Sequence, residues 1–438
     1  MNELKGTKVG VISLGCCKNQ VDSERMLGLL ALSGCELVHD PKLCDVIIVN
    51  TCGFIDPAKQ ESIDSILEMA QYKEGKCRVL VATGCLTERY RKELADAIPE
   101  IDIMLGVREY DKLPSLLAER LGRETPTQER VFCGSPRILT TPPYSAYLRI
   151  ADGCDNRCTY CAIPIIRGGL VSEPKEALYR EASSLAENGV SELSIVAQDT
   201  SGYGRELYGK PRLIELIKML LQVDGLKRIR LLYTYPDTVT TELLDLMASE
   251  EKLCSYLDIP LQHINAQVLR RMNRRGSPEH IKSLLTHLYR NYPDFTLRTT
   301  MMVGFPGETD AQFEELMSFI RDYPFDRLGA FAFSAEEGTK AAEMKDQIPE
   351  ELKAERLDRL MSLQRGISRE RAQRWIGREL TMLVTGKRGG GYIGRTEREA
   401  PDVDGAAIAS SARRLKVGEY AKMRVTGCGD YDIEGEIL

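Results

Sequence analysis

Four short apolar runs, each followed by a stretch with helical spacing, fill the first 120 residues. KVGVISLG (8–15), DVIIVNT (45–51), RVLVATG (78–84) and IDIMLG (101–106) are nearly continuous Val, Ile and Leu, as in strands covered on both faces. Between them, VDSERMLGLLALSG, PAKQESIDSILEMAQYK and LTERYRKELADAI place apolar residues three and four apart, the spacing of helices with one buried face. Strands alternating with helices predict an α/β domain with a doubly wound parallel sheet over residues 1–120. Residues 121–143, LGRETPTQERVFCGSPRILTTPP, hold four prolines and no periodicity, and read as a linker.

The alternation returns at residue 144. AYLRI, ELSIVAQD, RIRLLYT, YLDIPLQ, TLRTTMMVGFP and RLGAFAFS are strand candidates, most of them separated by helical stretches such as PKEALYREASSLAENG and GSPEHIKSLLTHLYRNY. About six βα units fall short of a full eight-unit barrel, so 144–373 is expected to form a partial, open (βα)6 barrel. The charged helical stretch 349–375 closes it. The tail, 374–438, changes character: ELTMLVTG, YIGRT, GEYAKMRVTGCG and DIEGEIL are short strands set between glycines, which suggests a small all-β barrel of about five strands.

Composition narrows the class. The chain has 438 residues, 43% of them hydrophobic and 28% charged, enough for two or three domains with real cores. No run of eighteen apolar residues exists and MNELKGTKVG lacks a signal pattern; the expectation is a cytoplasmic protein with no membrane partner. A net charge of −6 and a pI near 5.6 argue against coating nucleic acid by charge alone. Thirteen cysteines in a reducing compartment are expected to stay unpaired.

Two cysteine trios stand out. Cys16, Cys52 and Cys85 each follow the end of a predicted strand; in an open parallel sheet those ends share one edge, where ligands bind. Cys154, Cys158 and Cys161, in ADGCDNRCTYCAIP, follow AYLRI on the first loop of the predicted barrel, on the face where barrel enzymes keep their chemistry. A structural zinc would ask for a fourth cysteine or a histidine, yet the chain has four histidines and none within a hundred residues of this loop. A redox Cys-x2-Cys would leave the third thiol unexplained. A cubane iron–sulfur cluster takes four thiolates, so three leave one iron open to a small molecule that chelates through an amine and a carboxylate. Cys35, Cys44, Cys77, Cys133, Cys254 and Cys428 show no partner pattern and read as small apolar residues.

The stretch GCDNRCTYC resembles the Cys-x3-Cys-x2-Cys signature of radical S-adenosylmethionine (SAM) enzymes. Together with SLGCCKNQVDSERMLG, VNTCGFIDPAKQESIDSIL, ATGCLTERY, QDTSGYG, LDIPLQHINAQVLRRMNR and RTTMMVGFPGET, it makes the chain similar to the methylthiotransferases from about residue 8 to its end. The similarity is to the type that modifies a ribosomal protein. This resemblance implies two [4Fe-4S] clusters. Cys154, Cys158 and Cys161 would hold the one that binds SAM and cleaves it to methionine and a 5′-deoxyadenosyl radical. Cys16, Cys52 and Cys85 would hold an auxiliary cluster carrying the sulfur, with a second SAM giving the methyl group. Tyr160 either packs near the adenine or supports the loop. Gln198 and Asp199, after the second barrel strand, either touch the SAM amino group or form a polar turn. GFPGET (304–309) either passes the ligand by its backbone or is a plain turn. One departure is Cys17, where the family has proline; the ligand role falls to Cys16.

The tail resembles a TRAM domain, which often holds RNA, so the substrate is open between transfer RNA and protein. Residues 374–438 carry 11 Lys/Arg against 10 Asp/Glu, too even for a domain that grips phosphates. The acidic sets EREAPDVDG and DYDIEGE would suit a basic polypeptide. The expected reaction is methylthiolation of an aspartate β-carbon in small-subunit ribosomal protein twelve, by a monomer fed by a flavodoxin or ferredoxin. A transfer-RNA methylthiotransferase and a non-catalytic iron–sulfur or zinc protein are the alternatives.

Overall fold

Residues 4–124 and 137–438 are described by the computed structural model. Strands β1 (Lys8–Ser13), β2 (Glu36–Leu37), β3 (Val46–Thr51), β4 (Val79–Gly84) and β5 (Ile103–Leu105) form one parallel sheet in the order β2-β1-β3-β4-β5. Every side chain of β3 and β4 is buried, including the polar Asn50, Thr51 and Thr83 at the ends of their apolar runs. Helix α1 (Cys17–Leu32) follows β1, α2 (Asp56–Ala70) follows β3 and α3 (Cys85–Arg89) follows β4. LTERYRKELADAI, expected as one helix, breaks at Tyr90. The break lets Arg89 lie over the Tyr90 ring and donate to the Gly53 carbonyl at 2.8 Å. Of the expected linker, residues 125–136, including Cys133, lie outside the described residues. Its last part is stitched down: Arg137 donates to Glu24 at 2.6 Å and to Glu181 at 2.8 Å.

Six parallel strands make the open barrel: β6 (Ser145–Arg149), β9 (Glu192–Val196), β10 (Arg228–Leu231), β11 (Tyr256–Asp258), β12 (Thr296–Val303) and β13 (Arg327–Ala332). A short antiparallel pair, β7 (Ala151–Asp152) and β8 (Val171–Ser172), flanks the second cysteine loop. The six strands split into two sheets of three, bridged at Ile229 and Leu253. Ala146, Leu148 and Ile195 face the helices outside, whereas Tyr147, Val196, Leu232 and Tyr256 face inward. The inward set packs against Val21 of α1 and Ala400 of the C-terminal module. The barrel interior is thus filled from both neighbouring domains. The helix Glu350–Gln373 runs along β13.

The tail forms a closed barrel of β14 (Glu379–Arg388), β15 (Gly391–Arg395), β16 (Ala407–Ser410), β17 (Tyr420–Cys428) and β18 (Ile433–Ile437), in the order β14-β15-β16-β18-β17. The strand that the sequence pattern does not single out is β16, four residues long and paired in parallel with β18. The acidic run 397–405 is not a free surface. Glu399 pairs with Arg327 at 3.0 Å, Asp402 accepts from the Tyr147 hydroxyl at 2.6 Å, and Asp404 accepts from that of Tyr256 at 2.6 Å. These acids clamp the module to the barrel; Glu399 is answered by Arg327, while the exposed Asp402 keeps its charge on a cavity wall. Among the described residues, no helix is long and apolar enough to cross a membrane.

Candidate cluster and substrate site

Cys16 lies three residues past β1, and Cys52 and Cys85 directly follow β3 and β4. Those strands are neighbours in the sheet, so their ends deliver three thiols, distant in sequence, to one edge. Their close approach is visible at Gly15, whose φ is +86° and where a Cβ would stand 2.8 Å from the Cys52 Cβ. Only glycine allows both the backbone angle and the contact. Burial pushes the Cys52 thiol up, and pushes that of Cys85 up to about 12 against the pull of the Arg167 guanidinium. Cys16 is exposed and lines a cavity of about 990 Å³ together with Cys17, Tyr147, Tyr233, Pro401 and Asp402. All three domains contribute to that cavity.

Cys154, Cys158 and Cys161 are half-buried on the loop after β7. Arg157 takes a φ of +50°, rare outside glycine and a mark of a constrained site. Asn273 holds it by donating to the Arg157 carbonyl at 2.9 Å. Thr159 anchors the loop further, its N–H donating to the Met272 carbonyl at 3.0 Å and its hydroxyl to that of Arg271 at 2.9 Å. Burial pushes Cys154 up to about 11 and Cys161 up to about 12.

Each trio has its own guanidinium, buried at Arg167 and half-buried at Arg274. Arg167 donates to the Cys85 sulfur at 3.6 Å and Arg274 to the Cys158 sulfur at 3.9 Å. A cation beside a thiol favours the thiolate, the form that binds metal. Among the described residues, no three His, Cys, Asp or Glu side chains gather around one point as the ligands of a single ion do. A cubane, with one thiolate per iron, asks for a wider triangle. Two all-thiol trios, each beside an arginine, have the donor chemistry that iron–sulfur clusters take.

The other anticipated residues are found beside this loop. The Tyr160 hydroxyl accepts from Arg274 at 3.4 Å, and its side chain packs against the apolar cluster that holds Val268, Met272, Phe305 and Phe333. Gln198 donates to Asp152 at 3.1 Å, and its Oε1 is buried without a partner. Asp199 accepts from Asn156, inside the cysteine loop, at 2.8 Å and from the Ser201 hydroxyl at 2.6 Å. In GFPGET, the Glu308 carboxylate accepts from the N–H groups of Gly304 and Phe305, and Thr309 caps the helix Asp310–Asp322; those contacts are those of a turn.

Arg167, Lys18 and Tyr233 were missed by sequence reasoning. Arg167 is 1% exposed and donates to Asn19 at 2.8 Å, Asp22 at 2.9 Å and Asp152 at 2.9 Å. It thereby ties α1 to the second cysteine loop. Burial works against the Asp152 charge, but Arg149 and Arg167 hold its carboxyl below the usual range. No periodicity marks a charged residue that is buried by another domain; in the sequence, Arg167 and Lys18 look like solvated positions.

Comparison with known proteins matches three regions of the chain. Residues 8–106 match the family described as Uncharacterized protein family UPF0004, 148–320 the Radical SAM superfamily and 376–438 the TRAM domain. A protein of Desulforudis audaxviator named ribosomal protein uS12 methylthiotransferase RimO is 46% identical over 445 residues, covering 99% of this chain and 98% of its own length. Proteins of the same name from Clostridium kluyveri and Geobacter sulfurreducens are 47% and 45% identical, each covering 98% of both chains. The chain belongs to the RimO family. Membership makes it a radical-SAM methylthiotransferase, and the superfamily implies a [4Fe-4S] cluster and SAM. The fold is also similar to that of the radical SAM methyltransferase TsrM from Kitasatospora setae, with a TM-score of 0.57 at 14% identity over 77% of each chain. It resembles the cobalamin-dependent radical enzyme OxsB as well, with a TM-score of 0.51 at 12% identity over 82% of this chain and 56% of that one. At such identities the likeness concerns the fold alone.

Proposed function

We propose that the chain adds a methylthio group to the β-carbon of an aspartate in ribosomal protein uS12, with SAM and two [4Fe-4S] clusters. The observation that carries this reading is that one guanidinium and one cavity link the auxiliary thiols to the barrel. Arg167 joins Cys85 to Asp152, two residues before the loop of Cys154 to Cys161, and one cavity runs from Cys16 to the barrel residues Tyr147 and Tyr233. Cys154, Cys158 and Cys161 would hold the cluster of the barrel, and Cys16, Cys52 and Cys85 the auxiliary one. When bound, the first supplies the electron for reductive cleavage of SAM and the second the sulfur.

The chain's own side chains bind and orient. Asn156 and Asp199 fix the cysteine loop against the end of β9. The free Oε1 of Gln198 offers an acceptor to the amino group of SAM, and the Tyr160 ring offers an apolar face to its adenine. Val21 and Ala400 fill the barrel interior and keep water from it. Domains at 1–120, 144–373 and 374–438 around a linker at 121–143, a flavodoxin or ferredoxin donor, a cytoplasmic site and a monomeric state belong to the same proposal. The uS12 substrate is supported by the names of the relatives and by the near-even charge of the C-terminal module.

The test is the intact mass of small-subunit ribosomal proteins from cells with and without the gene, with nucleoside analysis of their transfer RNA. The expected result is a methylthio increment on uS12 that disappears with the gene. An unchanged uS12 mass with loss of a methylthio-nucleoside would overturn the substrate and keep the chemistry.

A further inference from the structure

Lys18 is a buried cation with no carboxylate to answer it. It stands on the first turn of α1, two residues from Cys16, and is 7% exposed. Its ammonium lies 3.2 Å from the centroid of the Tyr233 ring. The other groups facing it are the thiols of Cys16 and Cys17 and the Tyr233 hydroxyl. Among the described residues it forms no ion pair with an acid. Of the acids on the surrounding elements, Asp22, one turn along the helix, pairs with Arg149 and Arg167; Asp258 pairs with Arg298 and accepts from the Tyr233 N–H; Asp402 accepts from the Tyr147 hydroxyl. Lys353, an equally buried lysine, has both the Glu350 carboxylate at 2.6 Å and the Phe333 carbonyl at 3.0 Å.

A charge taken out of water is costly unless it is paired. An aromatic face offsets part of that cost and leaves the ammonium able to take an anion. The platform is itself constrained: Tyr233 holds a φ of +62°, two residues past the end of β10, a strained backbone of the kind kept at binding sites. Cys17 and Tyr233, which flank the ammonium, both line the cavity of about 990 Å³ that reaches Cys16. Resting on the function proposed above, we infer that Lys18 is the residue that receives the carboxylate of the target aspartate. It positions the β-carbon in the cavity beside Cys16 and selects an acidic residue over its amide.

The experiment measures equilibrium binding and steady-state kinetics of the reconstituted holoenzyme with uS12 and with uS12 carrying asparagine at the target position. The wild-type enzyme is expected to bind the aspartate form about ten- to a hundred-fold more tightly, the range for a charge-assisted contact. Lys18→Met should bind both forms alike, at the level of the asparagine form, with a raised KM for uS12. Lys18→Arg should recover part of the preference. Equal binding of the two forms by the wild-type enzyme overturns the inference without any enzyme variant. So does a Lys18→Met enzyme that keeps the preference and changes only the reduction potential of the auxiliary cluster, which would make Lys18 the counter-charge of that cluster. If the wild-type enzyme neither binds nor modifies uS12, the functional reading falls as well; if it modifies uS12 without preferring aspartate, only the role of Lys18 falls.

Discussion

Cysteine by cysteine, this chain assigns different tasks to one side chain. Cys44, Cys77 and Cys254 are buried and behave as small apolar residues. The two trios sit at strand ends, each beside an arginine that offsets part of the burial holding the thiols protonated. Their spacing was legible in the sequence; the arginines that serve them were not, because Arg167 meets Cys85 across 82 residues and Arg274 meets Cys158 across 116. The division of labour makes a prediction at this scale. Cys158→Ala should abolish the formation of 5′-deoxyadenosine and methionine from SAM. Cys52→Ala should retain that cleavage and lose methylthio insertion, read as the mass of uS12. Insertion at the normal rate by the Cys52 variant would disprove the roles given to the trios.

Among the elements, long apolar runs were decipherable and short ones were not. β3, β4 and β12 carry their own signal because each is six to eight mostly buried residues. β2, with two residues, and β16, with four, exist because a neighbouring strand offers them hydrogen bonds. The turn from β1 into α1 shows how an element delivers chemistry. Gly15 reverses the chain at a φ of +86° with the Cys52 side chain against it, and α1 then starts at Cys17. Gly15→Ala should therefore cost about 1–2 kcal/mol of backbone strain and push the Cys16 and Cys52 segments apart. The measurement is iron per protein in a background where Cys154, Cys158 and Cys161 are alanine, so that only the auxiliary site can load. Iron content equal to that of the glycine protein would show that the contact is not required.

Across the whole molecule, the central barrel is completed by its neighbours. Glu192, fully buried at the start of β9, accepts from Arg395 of β15 at 2.7 Å, with Arg228 and Arg230 beside it. Arg230 also donates to the Glu397 carbonyl at 2.7 Å, carrying the join into the C-terminal module. Burial opposes the Glu192 charge, yet Arg395, Arg228 and Arg230 hold its carboxyl down at about 2. A carboxyl depressed in the folded state stabilises it above the ordinary glutamate value of about 4.3, and that contribution disappears as pH falls toward 2. Acid should thus loosen the join over that window. The single tryptophan, Trp375, lies at the join under Arg398, and its emission reports the change. Glu192→Gln should remove that acid component and destabilise the protein at neutral pH by about 3–5 kcal/mol, since three arginines lose their buried counter-charge. An unchanged acid transition in the variant would assign it to other carboxylates.

The sequence alone determined the three-domain plan, the parallel sheet, the open barrel and both thiol trios, because strand and helix periods and cysteine spacing are local properties. Tertiary structure decided what surrounds the thiols. The acidic run 397–405 reads as a surface for a basic partner and is instead bonded to Arg327, Tyr147 and Tyr256. Lys18 reads as a solvated position on a helix and instead lies over Tyr233, some two hundred residues away in the chain. Whether a charge is solvated, paired or held ready for a ligand depends on what packs against it, and that is settled only when distant segments meet.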